Sequence, residues 1–413
     1  MKTNFDLRTK GENQRKIFCV MQVAKIFATI LSAAGALNFS HAQDSSIVIP
    51  GSTIIFGQKP IPVALDGFSS EAAAVLQFDL FAQGFSIVAP DAAQYLIHGT
   101  GSGNVAGTVT DKFARRMILS RSYNGAAVRV QAHAFADDIV QAVENLKGIG
   151  QAKIAFKVQP AGIGAGEIYV ADFDGHGAQR ITSDNAIVAK PAWVPGKLAL
   201  YYTSYARDNP DIFYHSLSSG ERRIIAGYSG LNTSAAVSPD GSRVAMVLGK
   251  SGSANIWVCN ADGTGLHRVT TGVEDSSPTW SPDGRWICFA TKKSERRHLA
   301  KVSPEGGAVE ILKTTGAPNP TEPDWSPDGK WIAFTSQTGE FDICVIPADG
   351  SASPVVLVAG QNPSWSPNSR TLVYNHRAPG SYRQVLSVLD VFTKQHEDCA
   401  RAAGSSSQPA WAR

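Results

Sequence analysis

The sequence lacks the residue patterns that indicate a metal centre or a nucleic-acid interface. Its five cysteines form no CxxC pair, and its nine histidines form no HxH or HExxH motif. Those are the spacings that commonly bind zinc. Its densest basic cluster, residues 292–297, is interrupted by Glu295, and we interpret it as a solvated loop. We therefore expect no zinc site and no nucleic-acid partner.

The patterns of nucleophilic and phosphate-binding enzymes are also absent. There is no GxSxG elbow, and no hydrolase-sized segment accompanies the repeats described below. Residues 99–103 (GTGSG) are rich in glycine, but they lack the lysine and the spacing of a phosphate-binding loop and precede no predicted helix. We interpret them as a connection between strands. The sequence thus predicts neither catalysis nor an organic cofactor.

A long apolar run that could span a membrane is missing from the N-terminal region. Residues 26–37 (IFATILSAAGAL) follow Arg15, Lys16 and Lys25 and precede Ser40-His41-Ala42. Twelve apolar residues are short for a membrane anchor, which needs about 20. A secretory signal peptide cleaved after Ala42 is the better interpretation, and a membrane anchor is the alternative. We expect a secreted protein with no membrane span after cleavage.

Excess charge of either sign is absent once the signal peptide is removed. Residues 1–42 carry six basic and two acidic residues, which leaves 32 basic and 33 acidic residues. Four cysteines remain in that part of the chain: Cys259, Cys288, Cys344 and Cys399. The first three lie in apolar, strand-like runs. We expect buried free thiols, although a secreted protein can also form disulfides.

What the sequence does contain is a repeat. The segment WSPDGKWIAF around Trp325 has counterparts along the chain, each with an anchor residue before a turn. The anchors are Trp193, Val237, Trp280, Trp325, Trp365 and Trp411. They are separated by 44, 43, 45, 40 and 46 residues, a period typical of the four-stranded blades of β-propellers.

Each repeat predicts the same succession of strands and turns. The anchor lies on a first strand, and Ser-Pro-Asp-Gly then favours a tight reversal, since proline presets φ and glycine tolerates positive φ. Second, third and fourth strands follow. Asp240, Asp283 and Asp328 recur at the turn, whereas a catalytic carboxylate would be needed once. We therefore interpret these aspartates as turn residues.

The count of anchors and strands predicts a closed ring. The last anchor ends the chain, whereas residues 154–182 contain outer strands with no anchor before them. If residues 408–413 supply the missing inner strand, the chain forms six complete blades. We therefore predict a six-bladed, all-β propeller over residues 151–413.

Residues 43–150 show no such repeat and predict a small α/β domain. One helix is expected after Ser69-Ser70-Glu71, ending before Gly84, and a second over residues 133–147 with Gly148 as its stop. Residues 61–65, 85–90, 94–101 and 114–122 are predicted strands. The second helix leads into the first blade.

This arrangement resembles the TolB family. The resemblance rests on the signal peptide, the α/β domain, the WSPDG blades, the final PAWAR and the junction GIGQAKIAFKVQ at residues 148–159. It implies a monomeric, non-enzymatic periplasmic protein of the Tol–Pal system, which binds the lipoprotein Pal and the protein TolA. It further implies a role in outer-membrane integrity, in constriction during cell division and in protein import, with other outer-membrane proteins as further partners. Val237 in place of an aromatic anchor, VPGK after Trp193 and SPNS after Trp365 depart from the repeat.

The resemblance also indicates where partners bind. The loops before the anchors lie on the face opposite to the Ser-Pro-Asp-Gly turns, and the corresponding family loops contribute to Pal docking. The candidates for a Pal-type partner are Leu231, Asn232, Thr233, Glu274, Asp275, Ser276, Asn319, Thr321 and Glu322. The candidates for a TolA-type partner, matched by position and apolar character, are Gln43, Asp44, Ile47, Val48 and Ile49.

Two questions stay open at the level of sequence. One is whether the central channel holds a cation such as calcium, for which no ligands can be chosen; otherwise we expect no metal and no cofactor. The other is the kind of propeller, because WSPDG repeats also occur in other secreted propellers. A lectin-like or peptidase-associated binding module is the alternative function, with ordinary solvated loops in place of a docking surface.

Overall fold

The computed structural model describes residues 46–49, 52–161 and 164–413. The predicted signal peptide lies outside these residues. Residues Asp44–Arg413 form one compact unit. Among the described residues, no helix is long and apolar enough to cross a bilayer.

A strand pair and a mixed α/β sheet precede the propeller. Their elements are β1 (Ser46–Ile49), β2 (Ser52–Ile55), β3 (Ile61–Asp66), α1 (Ser70–Phe81), β4 (Phe85–Ile87), β5 (Tyr95–Thr100), β6 (Val105–Asp111), β7 (Arg116–Tyr123) and α2 (Val128–Glu144). The five-stranded sheet has the order β4-β3-β5-β6-β7. Strands β4 and β5 both run parallel to β3, whereas β6 and β7 continue antiparallel. Both helices share one buried apolar core with this sheet, centred on Leu76, Ile97 and Phe135.

Helix α2 and strand β6 differ from the prediction. The helix begins at Val128, five residues early, because the buried Gln131 side chain donates to Gly103 O (3.0 Å) and accepts from Val105 N (2.8 Å). It ends with Asn145 at φ 56°. Gly148 is instead required by close packing, since a Cβ there would lie 2.2 Å from Asp137 Oδ1. Strand β6 was not predicted, because its sequence VAGTVTD mixes glycine and threonine with few apolar residues.

Six four-stranded antiparallel sheets follow and form the blades. Blade 1 contains β8 (Lys153–Gln159), β9 (Glu167–Asp172) and β10 (Gln179–Arg180). Blade 2 contains β11 (Val188–Trp193), β12 (Ala199–Arg207), β13 (Asn209–Ser216) and β14 (Arg222–Ala226). Blade 3 contains β15 (Asn232–Val237), β16 (Arg243–Leu248), β17 (Asn255–Asn260) and β18 (His267–Arg268).

The remaining blades repeat this order from the inner strand outward. Blade 4 contains β19 (Asp275–Trp280), β20 (Ile287–Lys293), β21 (Arg296–Val302) and β22 (Glu310–Ile311). Blade 5 contains β23 (Thr321–Trp325), β24 (Trp331–Gln337), β25 (Phe341–Pro347) and β26 (Val355–Ala359). Blade 6 contains β27 (Gln361–Trp365), β28 (Thr371–Arg377), β29 (Gln384–Asp390) and β30 (His396–Asp398), and the chain ends on β31 (Ser405–Trp411).

The last strand closes the ring. Strand β31 pairs antiparallel with β8, with Trp411 opposite Ile154, and so becomes the inner strand of blade 1. Trp411 is buried and stacks on Phe173 of the same blade at 5.6 Å between ring centroids. The predicted closure by the C-terminal strand is therefore confirmed, and with it a six-bladed propeller carrying a small α/β region.

The WSPDG segments form turns that are held by their own side chains. In blade 5, Ser326 Oγ donates to Asp328 Oδ1 (2.6 Å) and accepts from Trp331 N (2.9 Å), and Asp328 Oδ1 also accepts from Lys330 N (3.1 Å). Blades 3 and 4 repeat the arrangement with Asp240 and Asp283, and Asn368 takes the same position in blade 6. The serine hydroxyl and the aspartate thus satisfy the backbone of a reversal.

Candidate functional site

The propeller has two different faces. We call the turn face the one that carries the first-to-second and third-to-fourth strand connections, such as residues 326–330 and 391–395. We call the loop face the opposite one, which carries the second-to-third connections and the segments that lead into each inner strand, such as residues 294–295 and 271–274. Strand directions in an antiparallel blade require this division.

The N-terminal elements contact the turn face. Glu144 of α2 forms an ion pair with Arg370 in the first turn of blade 6 (2.7 Å), and Thr371 Oγ1 donates to Ala82 O (2.9 Å). Gly57 N donates to Phe392 O (2.6 Å) in another turn of blade 6. These contacts hold the N-terminal elements against turns of blade 6, on the side opposite to the loop face. A partner can therefore approach the loop face.

Two of the predicted Pal-type residues are buried and hold the loops in shape. Asn232 is fully buried; its Nδ2 donates to Tyr228 O (2.6 Å) and its Oδ1 accepts from Tyr228 N (3.0 Å). Asp275 is also buried and accepts from Thr291 Oγ1 (2.7 Å) and Thr270 Oγ1 (2.5 Å). Their polar atoms are satisfied inside the protein, so we correct their predicted role from partner contact to loop order.

The other predicted loop residues vary in exposure. Asn319 is exposed, and Glu274 is partly exposed with an ion pair to Arg297. Thr321 and Ser276 are partly exposed and pair within their blades, opposite Thr335 and Ala290. Leu231 packs against the core of blades 3 and 4, Thr233 accepts from Thr203 Oγ1 at 3.1 Å, and Glu322 is partly exposed.

Two exposed apolar side chains on the loop face were not predicted. Val273 is 76% exposed directly before Glu274, and Tyr382 is 87% exposed in the connection between β28 and β29. Tyr382 also lies under the Arg377 guanidinium at 5.3 Å. Single exposed apolar residues are common on protein surfaces, so these two are candidates for partner contact because of their place on the loop face. Its sequence signal is weak, because single apolar residues are common in loops.

The predicted TolA-type segment is described only in part. Gln43 and Asp44 lie outside the described residues. Ile47, Val48 and Ile49 belong to β1, which pairs antiparallel with β2. The segment therefore has strand geometry from Ser46 onward.

A ring of strained residues surrounds the channel. Each inner strand has a β-bulge directly before its anchor, and one residue in each bulge has positive φ. These residues are Lys190, Ser234, Ser277, Glu322, Asn362 and Gln408, with φ between 51° and 55°. We call them the bulge ring. Non-glycine residues in this region cost about 1–3 kcal/mol each, and such strain concentrates at functional sites.

The signal for the bulge ring is present in the sequence. Five of its six members directly precede a proline that lies two residues before a tryptophan anchor, as in KPAW, SPTW, EPDW, NPSW and QPAW. Of the predicted residues, Glu322 alone belongs to the ring. The sequence-based prediction considered the loops before each inner strand and did not include Lys190, whose side chain enters the channel.

Lys190 crosses the channel. Its Nζ lies 3.0 Å from Glu322 Oε1 and 2.8 Å from Asn362 Oδ1. Glu322 Oε2 accepts from Thr335 Oγ1 (2.9 Å) and Asn362 N (3.1 Å). The Lys190 ammonium group thus supplies the positive charge that the side-chain oxygen atoms of Glu322 and Asn362 contact. The sequence had left open whether a cation such as calcium occupies the channel.

Beyond this ion pair, a cavity of about 460 Å³ extends to the prolines of the turn face. Asp324 lines it, accepts from Trp365 N (2.6 Å) and pairs with Arg413. Alanine, proline and tryptophan side chains make up much of the remaining wall. Lys190 and Glu322 themselves belong to the lining of this cavity.

A buried ionic cluster joins α1, α2 and blade 1. His133 Nδ1 lies 2.7 Å from Asp79 Oδ2, and Asp174 pairs with Arg129. Burial raises the pKa of Asp79 to about 6, against the lowering effect of His133. Burial lowers the pKa of His133, but the hydrogen bond and charge of Asp79 outweigh it and the net direction is upward.

The same cluster includes a group with metal-ligand chemistry. Ligand atoms of His133, Asp172 and Asp174 lie within 4.8 Å of one another. Arg129 pairs with Asp174 and Lys153 pairs with Asp172, so both carboxylates already have a cation. We interpret the cluster as a structural link between the α/β region and blade 1.

The four cysteines of the described chain are free and buried. Burial raises the pKa of Cys259 and of Cys344 to about 12. Such thiols remain protonated near neutral pH and are poor nucleophiles.

These features define a class: a β-propeller with a closed ring, a fused α/β region on its turn face and an open loop face. Residues 140–413 match the family model described as the TolB beta propeller domain. The chain therefore belongs to the TolB β-propeller family.

Individual proteins that are similar in sequence to this chain carry the name of the same family. The chain is 32% identical over 187 residues to the "Tol-Pal system protein TolB" of Desulfosudis oleivorans, covering 43% of this chain and 42% of that protein. It is 33% identical over 159 residues to the protein of the same name from Anaeromyxobacter sp. (strain K), covering 38% of this chain and 36% of that protein. These alignments span about two fifths of the relatives' length.

A solved structure matches more of the chain. The crystal structure of TolB from Acinetobacter baumannii superimposes with a TM-score of 0.78 at 21% identity, covering 86% of this chain and 98% of that one. At this identity the likeness concerns the fold, and it extends across the propeller and into the α/β region.

Proposed function

We propose that the protein is a non-enzymatic, protein-binding component of a Tol–Pal envelope system. It acts in the periplasm, as a monomer, and binds a Pal-type lipoprotein through the loop face of the propeller. The observation that carries this proposal is the asymmetry of the two faces: the α/β region occupies turns, and the loop face keeps Val273 and Tyr382 exposed. The assignment to a Tol–Pal system is supported by membership of the TolB family and by the names of the curated relatives.

The surface suits a folded domain as its partner. The exposed Asn319 and the partly exposed Glu274 offer polar contacts on the same face as Val273. Buried Asn232 and Asp275 fix the loops, so little conformational entropy is lost when a partner binds. An apolar contact surrounded by polar groups is the usual arrangement of a specific interface.

A second binding function is proposed for the N-terminal segment. Residues 43–49 would contact a TolA-type partner, in keeping with the apolar strand Ile47–Ile49 at the start of the described chain. Deleting residues 43–49 should abolish retention of the periplasmic part of TolA and leave retention of Pal unchanged. Equal retention of TolA by the shortened protein would contradict this part of the proposal.

The test of the main proposal uses the protein without residues 1–42. The periplasmic domain of Pal from the same organism, immobilised on beads, should retain this protein at micromolar concentration. Absence of retention would favour the alternative, a propeller of the lectin-like or peptidase-associated kind. Through the proposed partners, the protein would support outer-membrane integrity, constriction during division and protein import.

A further inference from the structure

Blade 4 carries a groove on its outer side whose basic residues have no part in the proposed function. Two adjoining cavities, of about 670 and 530 Å³, share Arg296, His298 and Ile311 as lining residues. The first continues along residues 312–319, and the second extends to Lys293 and Ser294. We call this continuous depression the blade-4 groove. It includes the cluster that the sequence alone suggested was a solvated loop.

The charges around the groove are unbalanced. Glu274 pairs with Arg297, Glu295 with Lys292, and Glu310 with Lys301, so the nearby carboxylates each have a cation. Lys293, Arg296 and Lys313 are exposed, and no ion pair or side-chain hydrogen bond is formed by them within the described chain. Three cations thus line one groove with no anion of the protein to neutralise them. A ligand that carries several negative charges complements this surface.

One wall of the groove is the edge of a sheet. The outermost strand β22 has two residues and pairs with Ala300 and Lys301 of β21. The next backbone contact is Leu312 N to Leu299 O at 2.9 Å. No backbone hydrogen bond among the described residues joins Arg296, Arg297 or His298 to residues 313–319. Main-chain groups alternate sides along a strand, so in the first half of β21 it is Arg297 that directs its N–H and C=O toward the groove.

An uncovered strand edge selects for an extended polypeptide. Main-chain groups of an added strand can pair with such an edge, while its alternate side chains contact the flanking surface. Arg296 and His298 lie on the same side of β21, since side chains alternate along a strand. Ile311 is 42% exposed between them and Lys313 and offers an apolar contact.

We propose that the blade-4 groove binds an acidic, extended segment of a partner protein, which adds as a strand to the free edge of β21. Carboxylates of that segment pair with Lys293, Arg296 and Lys313. Asn319 lines one end of the groove and is also a candidate Pal-type contact, but the three cations of the groove belong to no proposed Pal contact and the test uses no component of the Tol–Pal system. The two proposals can therefore fail independently.

The probe is a fluorescein-labelled eight-residue peptide that alternates glutamate with threonine. Fluorescence anisotropy with the protein lacking residues 1–42 should give saturable binding that weakens with added salt, since the contact is ionic. The variant Lys293→Glu/Arg296→Glu/Lys313→Glu should raise Kd at least tenfold, with an unchanged melting temperature showing that it is folded. No saturable binding to the unaltered protein would overturn the proposal.

The matched control changes the same charge elsewhere. Arg115, Arg116 and Lys147 are exposed and likewise make no ion pair within the described chain. The variant Arg115→Glu/Arg116→Glu/Lys147→Glu should bind the peptide like the unaltered protein. Equal weakening by both triple variants would show attraction to overall charge and would overturn the groove as a site.

Two further ligands test the chemistry of the partner. The same peptide with N-methyl groups on alternate residues keeps its charge but cannot pair fully with a strand edge, so its Kd should rise at least fivefold. Equal binding of both peptides contradicts strand addition. Inorganic polyphosphate and vesicles containing anionic phospholipid should compete poorly; displacement as effective as that by unlabelled peptide would assign the groove to anions in general.

Discussion

Lys190 Nζ lies 3.0 Å from Glu322 Oε1, although the two residues belong to blades 2 and 5, which lie opposite each other in the six-membered ring. The sequence repeat relates equivalent positions in successive blades, so it does not predict a contact between opposite blades. Both side chains line the cavity that extends toward the prolines of the turn face. The ion pair also links two bulges whose backbones are strained. Its removal should therefore lower the stability of the whole propeller.

The first prediction concerns this ion pair. Lys190→Met should lower the free energy of unfolding by about 1–3 kcal/mol, because the partly buried Glu322 carboxylate loses its cation. Urea denaturation measures the effect. The double variant Lys190→Met/Glu322→Gln should be more stable than Lys190→Met alone, since no charge remains unpaired. If the two losses simply added, the pair would not be coupled across the channel.

The second prediction concerns a channel cation. Because the Lys190 ammonium already neutralises Glu322, we expect no calcium requirement. Addition of excess EDTA or of millimolar calcium should leave the melting temperature of the protein unchanged within about 1 °C; a ligand at 100 times its Kd would add about 2.7 kcal/mol. A reproducible rise with calcium would show that the channel or another site binds it.

The third prediction concerns ring closure. Trp411→Ala should cost about 3–5 kcal/mol of stability, because it empties a buried site against Phe173 and weakens β31. The matched variant is Trp286→Ala, whose side chain is partly buried under Lys301 and belongs to no inner strand. We expect the smaller loss for Trp286→Ala. Equal losses would argue against a special contribution of closure.

The fourth prediction concerns pH. The folded state raises the pKa of Asp79 to about 6 and also raises that of His133. In both cases the folded protein holds protons more tightly than the unfolded chain. Stability should therefore decline as pH rises from about 4 through the folded-state pKa of His133, because the favoured protonated forms are lost. Asp137, Asp174 and Arg129 face the same pair.

The measurement is a series of denaturation curves between pH 4.5 and pH 8. The variant Asp79→Asn/His133→Gln should show a shallower decline over this range than the unaltered protein, since neither side chain titrates. Arg121→Gln/Asp138→Asn is the control, a mostly exposed pair in the same region. Parallel curves for the unaltered protein and the Asp79/His133 variant would contradict the assignment.

The propeller could be predicted because its determinants are local and repeated. Trp325, Ser326 and Asp328 lie within four residues and form a turn from their own hydrogen bonds, so the pattern survives without knowledge of the rest of the chain. Closure could be predicted from counting, since Trp411 is an anchor with no strands after it. The α/β region was predicted less completely, because the start of α2 depends on Gln131 contacting Val105 far along the chain.

The proposed binding surface could be predicted only as a set of loops. Sequence placed Asn232 and Asp275 on segments of the loop face, but it could not show that their side chains turn inward to satisfy buried backbone and hydroxyl groups. Tyr382 and Val273 were passed over because exposure of a single apolar residue has no sequence pattern. The blade-4 groove depends on a strand edge that stays open, which is a property of the folded sheet.

The most direct test of the central claim is calorimetric titration of the Pal periplasmic domain into three proteins: the unaltered chain, Val273→Glu and Leu198→Glu. Val273 is exposed on the loop face, and Leu198 is 63% exposed in the first turn of blade 2 on the turn face. We expect micromolar or tighter binding to the unaltered chain and to Leu198→Glu, and at least tenfold weaker binding to Val273→Glu. Unchanged binding by Val273→Glu together with loss in Leu198→Glu would contradict this expectation, because the partner would then occupy the turn face.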